Sequence, residues 1–310
     1  SSIPSLPLGP SAKHTAVEKA EFVRCRDACK QGTCSFADRL MELSVAEYVC
    51  RAREHALGAR GQLVLATVAV HSLKRCPSLK VVALGVGTKF MSPDAVRSDG
   101  ARRERVRDSH AEVLARRAFR RYLCQQAALC LEGKTEESIL TCNSEDNRYQ
   151  LQSEVSLHLY TSTAPCGWAS VASGIRGVPP PRSDLGEDDF PEPCDSLATV
   201  TSSERPLLAK GSGDASAPAG CVQVAAEEVK GVDGMSLCCS EKISQWQVRG
   251  LEGRLLSHII QGPLCFSTVT VGRKFDHESC KRALCSSCGG RPLTVMQAGV
   301  RLETAVAAIR

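Results

Sequence analysis

RDSHAEVLARRAFRRYL, residues 107–123, decides how the chain is read. Apolar Ala111, Leu114, Ala115, Ala118 and Phe119 recur at helical spacing, and polar Asp108, Ser109 and His110 stand just before them, where a helix starts. The helix is predicted to run to about Leu131. Upstream, QLVLATVAVHS (62–72) and LKVVALGVGTK (79–89) are valine-rich runs bounded by glycine and proline, so both read as buried strands. Downstream, EVSLHLYTSTAPCG (154–167) alternates Val155, Leu157 and Leu159 with Ser156, His158 and Tyr160 until Pro165 stops it. In that alternation His158 is a packed strand residue. Further on, SEKISQWQVRGLEGRLLSHII (240–260) resumes a helical pattern and LCFSTVTVG (264–272) is another strand. Strands alternating with helices predict an α/β layer fold, a mixed central sheet with helices on both faces.

The flanks read differently. Residues 1–43 form a peripheral segment with a short helix around 17–30, and the domain is expected from Ser44, read as the cap of a helix over 44–58. Residues 174–234 have the composition of an insertion, rich in proline, glycine, serine and acid, and are expected to be mostly mobile.

Apolar residues make up 43% of the 310, enough for a real core, while aromatics at 4% argue against a base-stacking platform. The net charge of +5 is compatible with an anionic partner. No run approaches about 18 apolar residues, so no membrane partner is expected. Seventeen scattered cysteines and no leader peptide read as an intracellular, reduced protein, nuclear or cytoplasmic. Nothing points to an obligate protein partner. The one CxxC, Cys285 to Cys288, lacks a second pair.

Some cysteines have a more specific setting. At a helix start, unpaired backbone N–H groups and the helix dipole favour thiolate. Cys166 follows a strand, turned by Pro165 and Gly167, and Cys239 precedes a helical run. With His110 they form a candidate zinc set of one imidazole and two thiolates, leaving a position for water. Glu112, two residues past His110, is placed to move that water's proton without binding the metal. Alone, His110 and Glu112 are an ordinary helix end and a surface acid; in order with both cysteines they form a constellation. Cys238 reads as a buried neighbour of the ligand.

DSHAEVLARRAFRRYL, LHLYTSTAPCGWAS and MSLCCSEKISQW resemble the catalytic domain shared by adenosine deaminases acting on double-stranded RNA and the related eukaryotic tRNA adenosine deaminase. The resemblance covers about 44–272, apart from 174–234. It implies a cytidine-deaminase-like fold and a zinc-dependent deaminase converting adenosine to inosine in RNA, with His110, Cys166 and Cys239 on zinc and Glu112 as acid and base. Cys239-Ser240-Glu241-Lys242-Ile243 matches the segment holding the third ligand. LGVGTK matches the segment that would bring Thr88, with Lys89, to the ribose of the flipped nucleotide. The family's domain runs past Arg310, so the chain is expected to be C-terminally truncated. PCG-x-AS, at 165–170, favours the tRNA-specific branch and an anticodon-loop substrate. The resemblance also implies a buried inositol hexakisphosphate on Arg116, Arg117, Lys242 and Trp246. A polyphosphate there would neutralise cations otherwise too costly to bury.

The chain departs from the pattern at Trp168, where the family has aspartate, and at Arg107, Gln245 and Glu252 around the polyphosphate. Two alternatives stay open: a catalytically inactive RNA-binding relative, and a deaminase acting on double-stranded RNA. A free-nucleoside deaminase would carry Pro-Cys-x-x-Cys, which is absent.

Overall fold

The computed structural model describes residues 35–54, 63–72, 74, 78–91, 95–96, 98, 105–143, 146–170, 208–210, 222–224, 236–285 and 293–298. Its centre is a five-stranded sheet in the order β11-β10-β7-β1-β2, where β1 is Leu65–Ser72, β2 Leu79–Val86, β7 Val155–Thr163, β10 Thr268–Arg273 and β11 Thr294–Gln297. Strand β1 is antiparallel to both β2 and β7, while β7, β10 and β11 run parallel. The sheet is mixed, as predicted.

Side chains alternate across a strand, so β1 feeds two cores. Ala66, Val68 and Val70 face helix α2 (Ala111–Leu131), which buries Ala111, Ala115, Phe119, Leu123 and Ala127 at fourfold spacing. Leu65 and Ala69 face helix α1 (Phe36–Glu54) and join Leu40, Met41, Tyr48 and Tyr160 in a second core. Helices therefore cover both faces.

How α2 meets β2 fixes the place of His110. A Cβ on Gly85 would lie 2.2 Å from the Ala111 carbonyl oxygen and 2.4 Å from the Ala115 nitrogen, so only glycine lets the first turn of α2 rest on the strand. The Ala111 N–H donates to the Gly87 carbonyl at 3.0 Å. Beyond Gly87 the chain forms β3 (Thr88–Phe90), paired antiparallel with β4 (Asp108–His110), and Thr88 stands opposite His110. The sequence had read 79–89 as one strand.

Three other readings change. Helix α1 starts at Phe36, not at Ser44, so the domain begins inside the supposed peripheral segment. Ser35 accepts the Asp38 N–H at 3.2 Å as its cap, whereas Ser44 is buried mid-helix, donating to the Leu40 carbonyl at 2.7 Å and sharing a 2.6 Å hydrogen bond with Thr67. The pattern over 240–260 divides into α3 (Cys239–Arg249) and a short α4 (Gly253–Leu256). The break falls at Gly250, whose φ of +90° suits glycine, and buried Glu252 turns to accept the Leu264 N–H at 3.0 Å. Within 174–234, β8 (Leu208–Lys210) pairs with β9 (Val222–Val224) as a short hairpin. A small hairpin of β5 (Leu140–Cys142) and β6 (Tyr149–Leu151) follows α2, and α5 (His277–Cys285) precedes β11. The helix expected over 17–30, Cys288 and the rest of 174–234 lie outside the described residues.

Candidate active site

Three chain segments meet at the start of α2. His110 ends β4 and occupies the cap position of the helix with extended backbone. Its Nδ1 lies 2.8 Å from Asp108 Oδ1, which also accepts the His110 backbone N–H at 3.0 Å. The carboxylate thereby fixes the ring and leaves Nε2 as its remaining nitrogen. Glu112, in the first turn, is 3% exposed. Burial raises its pKa, and the nearby Cys166 adds to that.

Cys166 lies in the turn after β7, and Cys239 opens α3. Ser240 donates its N–H to the Cys166 carbonyl at 3.0 Å, which pins the turn to the helix start. Cys166 Sγ accepts the Cys239 N–H at 3.3 Å, and the Cys239 thiol reaches Glu112 Oε2 at 3.3 Å. The thiols of Cys238 and Cys239 both bond to Cys166 and hold its pKa well below the usual thiol value, helped by Lys210 and His110. Burial pushes Cys239 the other way, and the bond to Cys166 does the same to Cys238. All four residues singled out in the sequence therefore converge.

The chemistry of the donors fits zinc: an imidazole with its second nitrogen fixed by a carboxylate, and two sulfurs at one point beside a buried acid. Among the described residues, however, no group of three or more His, Cys, Asp or Glu side chains stands arranged to hold a metal ion. The sulfurs are engaged with each other and with Glu112.

A charged network behind His110 was only half visible beforehand. Asp108 Oδ2 accepts Lys210 Nζ at 2.7 Å and Ser236 Oγ at 2.9 Å, and it also accepts Lys242 Nζ, which reaches Ser236 Oγ at 2.7 Å. Burial works against the Asp108 anion, yet His110 and the two lysines hold its pKa far below the ordinary carboxylate range. Lys210, 3% exposed, comes from β8, inside the segment read as an insertion. The apolar Leu207-Leu208-Ala209 run before it, out of place among polar residues, was the available signal.

The four residues expected around a polyphosphate do not stay together. Arg116 lies 5.0 Å over the Trp246 ring and donates to the carbonyls of Leu251 and Gly250 at 3.1 Å each. Burial lowers its pKa to about 10, with Arg120 contributing. Arg117 is exposed, and Lys242 is committed to Asp108. Arg120, whose Nε is buried without a partner, stands beside Arg116 against Gly253, and buried Glu252 adds a negative charge close to Arg116. Arg116 and Arg120 thus stand side by side, the latter with a buried Nε lacking a partner among the described residues, while Arg117 is exposed and Lys242 is engaged elsewhere. The expectation for Arg117 fails because its position on α2 faces solvent.

Thr88 is half-buried opposite His110 and Lys89 is exposed. Phe90, not anticipated, puts its ring 6.0 Å from that of His110. Trp168 packs against the main core beside Cys166.

The adenosine-deaminase (editase) domain family matches residues 83–298, which include every residue of this site. The chain belongs to that family. It is 30% identical over 253 residues to the double-stranded RNA-specific editase Adar of Drosophila melanogaster, covering 80% of this chain and 35% of that protein. With the mouse double-stranded RNA-specific adenosine deaminase it shares 29% over 220 residues, 66% of this chain and 17% of the relative. Similarity to mouse tRNA-specific adenosine deaminase 1 is 25% over 320 residues, 74% and 63%. The chain thus spans about a third of the fly editase's length. Among solved structures, Aspergillus oryzae Rib2 deaminase aligns with 86% of this chain and 89% of its own at 10% identity and a TM-score of 0.30. No helix among the described residues is long and apolar enough to cross a membrane.

Proposed function

We propose that this domain deaminates adenosine to inosine in RNA, with a tRNA anticodon loop as substrate. The observation that carries the reading is Glu112: a buried carboxylate with a raised pKa, 3.3 Å from the Cys239 thiol and in the same cluster as Cys166 and His110. Zinc held by His110, Cys166 and Cys239 would make a water acidic enough to supply hydroxide near neutral pH. With zinc in place, Glu112 would hold the proton on its carboxylate and deliver it to the ring nitrogen and to the departing amine. Its buried place beside the Cys239 thiol suits this work, because it keeps the transferred proton from bulk solvent. Asp108 holds the imidazole through Nδ1, and Lys210 and Lys242 keep Asp108 charged. Thr88 meets the ribose from the strand opposite His110, and Lys89 meets the backbone phosphate. A base must leave its stack to reach the site, which costs less in a loop than in a duplex.

A second reading, a non-catalytic RNA-binding relative, draws support from the same sulfurs. Cys166 accepts the Cys239 N–H and Glu112 accepts the Cys239 thiol, so these groups find partners within the protein. One experiment separates the readings. The chain, loaded with zinc, is incubated with tRNA and with double-stranded RNA, and adenosines read as guanosine are scored by sequencing. Inosine in the anticodon loop, lost by a factor of about 10²–10⁴ in Glu112→Gln with metal content unchanged, supports the enzyme. No inosine in either RNA, with RNA still bound, supports the second reading.

A further inference from the structure

One aromatic side chain stands beside the active site without belonging to a core. Phe90 ends β3, is half-buried, and among the described residues joins neither the cluster under α2 nor the one under α1. Its ring lies 6.0 Å from that of His110, tilted by 37°. The β3–β4 register fixes the side it takes. Thr88 pairs with His110 and Phe90 with Asp108, so these four share one side of the hairpin, and Lys89 and Ser109 share the other. Phe90 is at the Asp108 end, two residues farther along β3 than Thr88. The pairing continues past it, the Met91 N–H donating to the Arg107 carbonyl at 2.8 Å. Lys89, Arg105 and Arg107 are exposed along this hairpin, while its carboxylate, Asp108, is buried. A nucleic-acid strand lying here would meet cations for its phosphates and a flat apolar ring for a base.

We infer that Phe90 stacks on the nucleobase flanking the reacting adenosine. The inference rests on the RNA reading of this site. The reacting base is not the one that Phe90 holds. A base between two parallel rings needs about 3.5 Å on each side, roughly 7 Å in all. Phe90 and His110 are only 6.0 Å apart, too close to admit one. The extruded base goes instead to the α2 end of the hairpin, where Glu112 and Cys239 lie. Phe90, at the opposite end, meets the neighbour that stays behind in the strand. Such stacking accepts any base, because every base has a π face, but it is lost where the base is missing.

The test measures binding of a synthetic RNA hairpin with a single loop adenosine, by fluorescence anisotropy with zinc present. The parent hairpin is compared with two others that carry an abasic residue on the 5′ or the 3′ side of that adenosine. In the unaltered chain, one abasic hairpin should bind about tenfold more weakly than the parent. Phe90→Leu keeps apolar bulk and loses the π face, so the ratio should fall below about twofold, and Phe90→Tyr should restore it. Circular dichroism follows folding. A second measurement needs no variant: 5-iodouridine at the sensitive flank should crosslink on irradiation to tryptic peptide 90–97. The same ratio in Phe90→Leu as in the unaltered chain overturns the inference, as does the absence of an abasic penalty or a crosslink that maps only elsewhere. An equal loss on all three hairpins also overturns it, since Phe90 would then only hold His110. A ratio that responds to Phe90 without inosine in the sequencing assay keeps this contact and removes the deaminase; inosine with an indifferent ratio does the reverse; no RNA binding removes both.

Discussion

The two faces of the central sheet bury polar groups in opposite ways. Under α2 they are charged: Asp108, Lys210, Glu112 and Glu252 are each at most 7% exposed. Under α1 they are mostly hydroxyls, Ser44, Thr67, Tyr160 and Thr270, with Thr67 and Thr270 flanking Tyr160 in register on the neighbouring strands. Buried charge is stable only when paired and hydrogen-bonded, while a buried hydroxyl needs a single partner. The charged face therefore draws on four segments, β4, β8, the residues before α3, and α3 itself, to satisfy one carboxylate. On the hydroxyl face Ser44 and Thr67 satisfy each other, while the hydroxyls of Tyr160 and Thr270 have no hydrogen-bond partner among the described residues. Chemistry is concentrated where the chain has gathered the most partners.

The largest effect should come from breaking the charged network. Asp108→Ala leaves Lys210 and Lys242 facing each other across a buried gap, and removing one partner from such a set costs about 3–5 kcal/mol. Chemical denaturation should show that loss, and His110 should lose its fixed orientation. Lys210→Met, which leaves Lys242 on Asp108, should cost clearly less. Equal losses would mean that the segment around β8 supports the domain independently of this contact.

Next comes the packing that sets the charged face against the sheet. Gly85→Ala pushes a methyl toward two backbone atoms of α2 at 2.2 and 2.4 Å. Backbone cannot yield as a flexible side chain does, so about 3 kcal/mol of stability should be lost, the upper end for overpacking. A stability loss below about 0.5 kcal/mol would show that α2 can lift from β2 without strain.

These two variants also mark what could be read in the sequence. The strands over 62–72 and 154–167, helix α2 and the convergence of His110, Glu112, Cys166 and Cys239 were legible because each carries a local signal: a period, a turn or a capping position. Lys210 was not, because its role depends on a contact with Asp108, 102 residues away. Ser44 misled for the opposite reason. Serine before an apolar periodic run is the usual mark of a helix start, and here Thr67 and the Leu40 carbonyl satisfy the same hydroxyl in mid-helix. Arg117 shows a third limit: a spacing of seven from His110 is not enough to place a side chain inside, since α2 turns its buried stripe through Ala115 and Phe119.

On the hydroxyl face, Ser44→Ala removes the partner of Thr67 and should cost about 1–2 kcal/mol, read from the urea midpoint. Ser44→Ala with Thr67→Val should recover part of that loss, because replacing both members of a buried pair leaves no unsatisfied group. If the double variant were no better than the single, the hydroxyl pair would not be what links α1 to β1.

The smallest effect is a pH slope specific to this face. His158 packs 4.7 Å from the Phe36 ring, with Nδ1 2.9 Å from Thr268 Oγ1 and Nε2 2.8 Å from Ser156 Oγ. Burial pushes its pKa down to about 4, and His71, 5.9 Å away, adds to that. In the unfolded chain the ring titrates near the ordinary value of about 6.5. Between those values the unfolded state binds the proton and the folded state does not. The stability this histidine contributes is thus complete above about pH 6.5 and declines as the pH falls toward 4. Glu112 acts with the opposite sign, since its pKa is raised and acid favours its folded, protonated form. Asp108, held far down, loses its contribution only below the unfolded carboxylate range. Thermal melts from pH 7.5 to 5.5 should accordingly show a loss on the order of 1 kcal/mol that is absent in His158→Gln, whose amide can still bond to either hydroxyl. An unchanged slope in the variant would move the titrating group to His71, whose pKa burial also lowers, or off this face.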